Sequence, residues 1–317
     1  MSSIITFLTG PWATPELISW NFQILVMGFL VCISCALVGT FVSLRRMSLL
    51  GDAISHGILP GIVLAYLFTG SLSLFPMWIG AALAGIACGV SIQWLHTKTR
   101  LREDAAMGLT FTTFFALGMV LLGLNAENIH LDVACILYGE IGLIPLETDW
   151  YLFGKNLGNQ AIWSMGFICI FTQLATFFFY KILLVTSFDL SLAKSLGIPV
   201  NWVQYGLMFF LALVVVASFE SVGVIMVLAM MILPPVSLSF LFTRLPCILW
   251  SCIALSIFYS LGGIHLAYAM NFPISASIAL TAVFIFLPCC LLGSKGGLLI
   301  GLFDLVKKPH VEDCSTK

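Results

Sequence analysis

Asp52 and His56 are the residues whose types and spacing best suit chemistry. They stand in RRMSLLGDAISHGILPG, residues 45–61. A spacing of four puts both on one face of a helix, one turn apart. A carboxylate oxygen beside an imidazole nitrogen can ligate a divalent metal such as manganese, iron or zinc. Both lie where one apolar run gives way to the next. Ionisable groups inside a membrane span are costly, and by default they mark an ion path. A plainer alternative satisfies the same residues: Asp52 pairs with Arg45 or Arg46, and His56 donates to a backbone carbonyl.

Three further places carry signals. Glu16, Glu127, Asp132, Glu140, Glu147, Asp149 and Glu220 fall on or near one face of the expected bundle, with His130 among them in NIHLD. Such an acidic mouth draws cations. Loops on that face also carry acids freely, because Asp and Glu hardly influence topology. The segment KILLVTSFDLSLAKSLGIPV, residues 181–200, reads as a short helix. Asp189 or Ser191 caps it, it runs through Ala193, and Gly197 closes it before Pro199. It suits docking to another protein, or it is an ordinary amphipathic connector. Pro234 and Pro235 remove two backbone donors from an apolar run and predict a broken helix. Broken helices in transporters line the pathway, whereas a lipid-facing kink is the plain alternative.

The elements that must position these residues are membrane spans. The chain has 317 residues, 61% hydrophobic and only 9% charged. Soluble domains carry about 25% charged residues, so this is an all-α, polytopic transmembrane bundle. A span needs about 20 apolar residues. Runs at 22–44, 50–69, 75–95, 104–124, 161–181, 200–219, 221–243, 246–268 and 273–293 predict nine spans. The stretch 131–146, interrupted by Asp132, Glu140 and Pro145, is too short to span and is expected to re-enter or lie along the surface. The expected organisation is an extracytoplasmic N-terminus (1–21), one transmembrane domain (22–293) with a cytoplasmic segment at 182–199, and a cytoplasmic tail (294–317). With the N-terminus outside, every Lys and Arg except Lys155 falls on the cytoplasmic side, as the positive-inside rule requires. No basic residue precedes Arg45, so no cleavable signal peptide is expected. The ten cysteines lie mostly in apolar runs, and the Cys32–Cys35 CxxC is mid-span. They read as small apolar packers, with neither a zinc site nor a disulfide framework.

RRMSLLGDAISHGILPG, REDAAMGLTFTTFFALGMVLL (102–122), SFDLSLAKSLGIP, ESVGVIMVLAMMILPPVS (220–237) and NFPISASIAL (271–280) occur in this order. Together they resemble the membrane subunits of bacterial ABC importers for zinc, manganese or iron, the ABC-3 permease family. The likeness runs from about residue 20 to 295 and excludes the tail. It departs at Pro234-Pro235-Val236, where the family often has Ala-Pro-Ala, and at Glu220, where many members have a neutral or amide side chain. The resemblance implies a type II importer-like permease in the bacterial cytoplasmic membrane. It implies that Asp52 and His56 coordinate or gate the metal, and that Asp189 to Gly197 dock into an ATPase groove. The partners it implies are cytoplasmic ATPase subunits, an extracytoplasmic metal-binding protein and a second permease subunit, identical or paralogous. Membrane lipid surrounds the spans, and no nucleic acid is expected.

No G-x-x-x-x-G-K-[ST] phosphate loop is present, which fits a transport subunit without an ATPase site or a permanently bound cofactor, whose cargo is the metal. Two other classes compete. A secondary, proton-coupled cation transporter working through Asp52, Glu220 or Glu140 needs no docking segment. An intramembrane enzyme would be expected to carry a motif such as HExxH or GxSxG, and both are absent.

Overall fold

A computed structural model of the chain describes residues 10–45, 47, 49–70, 74–124, 140–146, 149–152 and 155–293. The first helix, α1, spans Pro15–Leu44. Thr14 caps it, its hydroxyl accepting from Leu17 N–H at 3.4 Å, and Pro15 and Glu16 suit a first turn. Residues 31–42 of α1 are all buried. A helix apolar on every side is one surrounded by other helices, and α1 is the hub of the bundle.

The second expected span is broken. It forms α2 (Leu50–Gly57) and α3 (Leu59–Thr69), with Ile58 between them. Pro60 has no N–H to give the His56 carbonyl. Gly61 N–H donates to the Ile58 carbonyl at 3.0 Å instead of reaching back to Gly57. Helix α4 (Leu74–Lys98) packs on α3 through small residues, and α5 (Glu103–Leu124) follows. A Cβ on Gly61 would stand 2.1 Å from the Gly80 carbonyl oxygen, so only glycine permits this approach.

Of the stretch 131–146, the described part is Glu140 and a 3-10 turn, Ile141–Leu146, that contains Pro145. Ile141 and Ile144 are fully buried, and Ile141 N–H donates to Ser275 Oγ at 3.2 Å. Beyond it, β1 (Asp149–Leu152) pairs antiparallel with β2 (Lys155–Asn159). The all-helical reading did not foresee this hairpin. Four or five residues per strand are too few for alternation to show, although Trp150 and Tyr151 favour extended backbone.

Four longer helices and two short ones complete the bundle. They are α6 (Gln160–Phe188), α7 (Leu190–Ser195), α8 (Val200–Val222), α9 (Val224–Ser239), α10 (Leu245–Met270) and α11 (Ile274–Leu292). Counting α2 and α3 as one, eight described segments are long and apolar enough to cross a membrane. The remaining expected span, 221–243, is the shorter α9. Its 16 residues reach about 24 Å at 1.5 Å each, less than a hydrocarbon core of about 30 Å.

The break foreseen at Pro234 and Pro235 is not there. Both prolines lie inside α9, and the chain turns instead at Gly223, with φ 78°. The helix runs on through both prolines. Pro235 frees the Met231 carbonyl, and that oxygen sits against Gly39 of α1, where a Cβ would be only 2.0 Å away.

Candidate functional site

Asp52 and His56 project from α2. Its opposite face is buried through Leu50, Ala53, Ile54, Ser55 and Gly57. Two close approaches seat the helix. Met231 of α9 lies against Gly51, and Cys88 of α4 lies against Gly57 while its Sγ donates to the Ala53 carbonyl at 3.6 Å. With that face locked, the pair points the other way. His56 Nε2 stands 3.4 Å from Asp52 Oδ1, with the two side chains 27% and 38% exposed. Both remain reachable by an incoming ion.

The imidazole is held by two rings of α5. Phe115 meets it edge-on at 5.6 Å between centroids, and Phe111 lies tilted at 5.8 Å. These phenylalanines restrict the imidazole and present an apolar wall that limits water around the pair. The sequence reading missed them, although they lie in FTTFF of the segment 102–122. It also missed the break at Ile58. The signal was Pro60, four residues after His56, the one position that strips the His56 carbonyl of its helical donor. The carbonyl end of a half-helix carries partial negative charge, which favours a cation beside His56.

The alternative pairing of Asp52 with Arg45 does not occur. Arg45 turns away from α2 and ties three helices together. Its Nε donates to Ser187 Oγ at 3.2 Å and one terminal nitrogen to Thr186 Oγ1 at 2.8 Å, while the other meets Gln204 Oε1. Burial pushes the guanidinium down to about 10, which leaves it cationic at neutral pH. Arg46 lies outside the described residues. Among the described residues, no third His, Cys, Asp or Glu joins Asp52 and His56. Among the described residues the pair thus presents two candidate side-chain ligands, where transition metals take four to six.

The other candidates sit elsewhere. Pro234 and Pro235 are buried in α9, one turn beyond the methionine that touches Gly51. Glu220 is in the last turn of α8, and its side chain is outside the described residues. His130 and Asp132 lie outside them altogether.

The segment after α6 forms the short helix that its residues predict. Asp189 Oδ1 accepts from the N–H groups of Ser191 and Leu192, both at 2.9 Å. At the other end Gly197 takes φ 74°, which glycine adopts without strain. Ile198 N–H then reaches the Ala193 carbonyl and Gly197 N–H the Lys194 carbonyl, each at 3.0 Å. This crossed pair is a Schellman closure. Pro199 caps α8 directly afterwards. Ala193 is 0% exposed, so it seats the segment on the bundle rather than facing a partner. The outward apolar side chains are Leu190, Leu192 and Leu196, with Ser191, Lys194 and Ser195 exposed beside them.

The profile of the ABC 3 transport family matches residues 19–293. The manganese transport system membrane protein MntD of Bacillus subtilis is 40% identical over 261 residues, which cover 82% of this chain and 88% of that protein. The zinc transport system membrane protein TroD of Treponema pallidum is 39% identical over 212 residues, 67% of this chain and 57% of that one. Among solved structures, PsaBC from Streptococcus pneumoniae in complex with Fab superposes with a TM-score of 0.74 at 30% identity. That match covers 94% of this chain and 99% of the other.

Proposed function

This chain belongs to the ABC 3 transport family, and from that membership we propose that it is the membrane-spanning permease of an importer for a divalent transition metal, manganese, zinc or iron. The observation that carries the reading is the Asp52–His56 pair, 3.4 Å apart and half-buried beside the break of a discontinuous span. Asp52 supplies an anionic oxygen and His56 a nitrogen, and the released carbonyl end of α2 adds favourable potential for a cation. Phe111 and Phe115 hold the imidazole ready. The remaining coordination positions go to water, to the same pair on a second permease subunit, or to both.

ATP is hydrolysed by separate cytoplasmic subunits, which dock on Leu190, Leu192 and Leu196. An extracytoplasmic binding protein delivers the ion to the opposite face. The distribution of Lys and Arg supports an extracytoplasmic N-terminus and a cytoplasmic tail, 294–317, in the bacterial inner membrane.

Uptake of radioactive manganese, zinc and iron by cells carrying Asp52→Asn or His56→Ala tests the metal site. Asp52→Asn keeps the shape and removes the charge. His56→Ala removes the nitrogen. Each is expected to reduce uptake at least about tenfold, the effect of losing one charge-assisted contact, with protein levels in the membrane unchanged. Wild-type uptake of all three metals by both variants ends the metal-site reading. Loss of the protein itself would make the pair structural.

A further inference from the structure

Residues of α1, α6 and α8 also enclose a cavity. Between α6 and α8 the bundle leaves a cavity of about 340 Å³, walled by Phe41, Phe179, Leu183, Trp202 and Phe210. Ile198 and Pro199, from the α7–α8 connection, line it as well. The surrounding outer face of α6 is apolar, with Phe177 and Phe178 largely exposed, so the groove opens onto lipid.

The Arg45 cluster stands a turn or less along the same helices from residues that line the groove. Phe41, in the groove, is one turn before Arg45. Leu183 is one turn before Ser187, and the groove residue Val203 adjoins Gln204. All three hydrogen-bond acceptors of Arg45 are neutral. The ion pairs among the described residues are His56–Asp52 and His96–Glu103, and Arg45 belongs to neither. A guanidinium has five N–H groups, and these three bonds leave two over. A partly buried cation without an anion is costly, and no acid among the described residues pairs with Arg45. Trp202, 77% exposed at the rim, is the side-chain type that sits at headgroup level.

We propose that the groove between α6 and α8 binds an anionic phospholipid of the cytoplasmic leaflet, with one acyl chain in the cavity and its phosphate against Arg45. The leaflet on the basic side of a bacterial membrane is the source of such lipids, and basic pockets between helices hold their headgroups. The lipid ties α1, α6 and α8 together next to the α7 segment. It is a ligand of this chain distinct from the transported ion.

Native mass spectrometry of the full-length chain tests this. The protein is purified in detergent, stripped of lipid, and given phosphatidylglycerol or phosphatidylcholine. Phosphatidylglycerol is expected to be retained at about tenfold lower concentration than phosphatidylcholine, the worth of one charge-assisted contact. Arg45→Gln should erase that preference. Gly206→Leu should weaken retention of both lipids by filling the groove. A Cβ at Gly206 meets no atom within 4 Å, and leucine favours the helix, so this variant keeps the fold. If Arg45→Gln fails to fold, Gly206→Leu carries the test alone. Equal retention of the two lipids by the wild type overturns the proposal, as does phosphatidylglycerol binding that Gly206→Leu leaves unchanged. An Arg45→Gln variant that still prefers phosphatidylglycerol but no longer copurifies with the ATPase subunit also overturns it. In that case the anion at Arg45 is a partner's carboxylate.

Discussion

Met231 joins two glycines that answer differently to a methyl group. At Gly39 a Cβ would stand 2.0 Å from the Met231 carbonyl oxygen, which is backbone and cannot move alone. At Gly51 a Cβ would stand 2.0 Å from Met231 Cε, the tip of a flexible side chain. Overpacking a tight contact costs about 1–3 kcal/mol when the neighbours cannot give. Gly39→Ala is therefore expected to lose folded protein, read as a lower unfolding temperature in detergent. Gly51→Ala should keep most of its stability and lose metal uptake, because the displaced thioether presses on the turn that carries Asp52. Equal destabilisation by both, or full uptake by Gly51→Ala, would sink this account. The pair itself was legible from four-residue spacing in an apolar run. Its aromatic wall was not, because Phe111 and Phe115 meet His56 across about 55 intervening residues, and no local pattern announces such a contact.

Helix boundaries follow from where released backbone groups find partners. Pro60 breaks its span and Pro234–Pro235 do not, although the chemistry of the ring is the same. At Pro235 the freed Met231 carbonyl packs closely against Gly39 of α1, whereas at Pro60 the chain turns at Ile58. The docking segment was read correctly at its caps, Asp189 and Gly197, because capping is local chemistry. Ala193 was read as part of the docking surface, and its burial makes it the seat of that segment instead. The leucines of the segment, Leu190, Leu192 and Leu196, are exposed instead. Leu196→Glu, at a side chain 61% exposed, should abolish copurification of the ATPase subunit while leaving the permease folded. Undiminished copurification and transport would reduce the segment to a connector.

At the scale of the whole molecule, the uneven distribution of Lys and Arg along the chain sets the expected orientation. Thr97 and Ser191 are exposed at the basic end, and Phe272 is exposed in the turn between α10 and α11. Single cysteines at Thr97 and Ser191, with the native cysteines removed, should resist an impermeant thiol reagent in intact cells, while one at Phe272 reacts. Labelling of Thr97 or Ser191 from outside would overturn the assigned orientation.

The sequence by itself determined the class, the approximate positions of the spans, the one-face placement of Asp52 and His56 and the caps of the short helix α7. Each of these rests on interactions between residues a few positions apart, or on composition summed over about 20 residues. Tertiary structure alone decided which proline breaks a helix, which face of the docking segment is free, what holds His56, and that Arg45 serves α6 and α8 rather than Asp52. These depend on how closely distant backbones approach. In a membrane bundle that distance is set by single glycines meeting specific carbonyls, as at Gly39 and Gly61. A hydropathy profile treats such glycines alike, and only the packed helices distinguish the ones that matter.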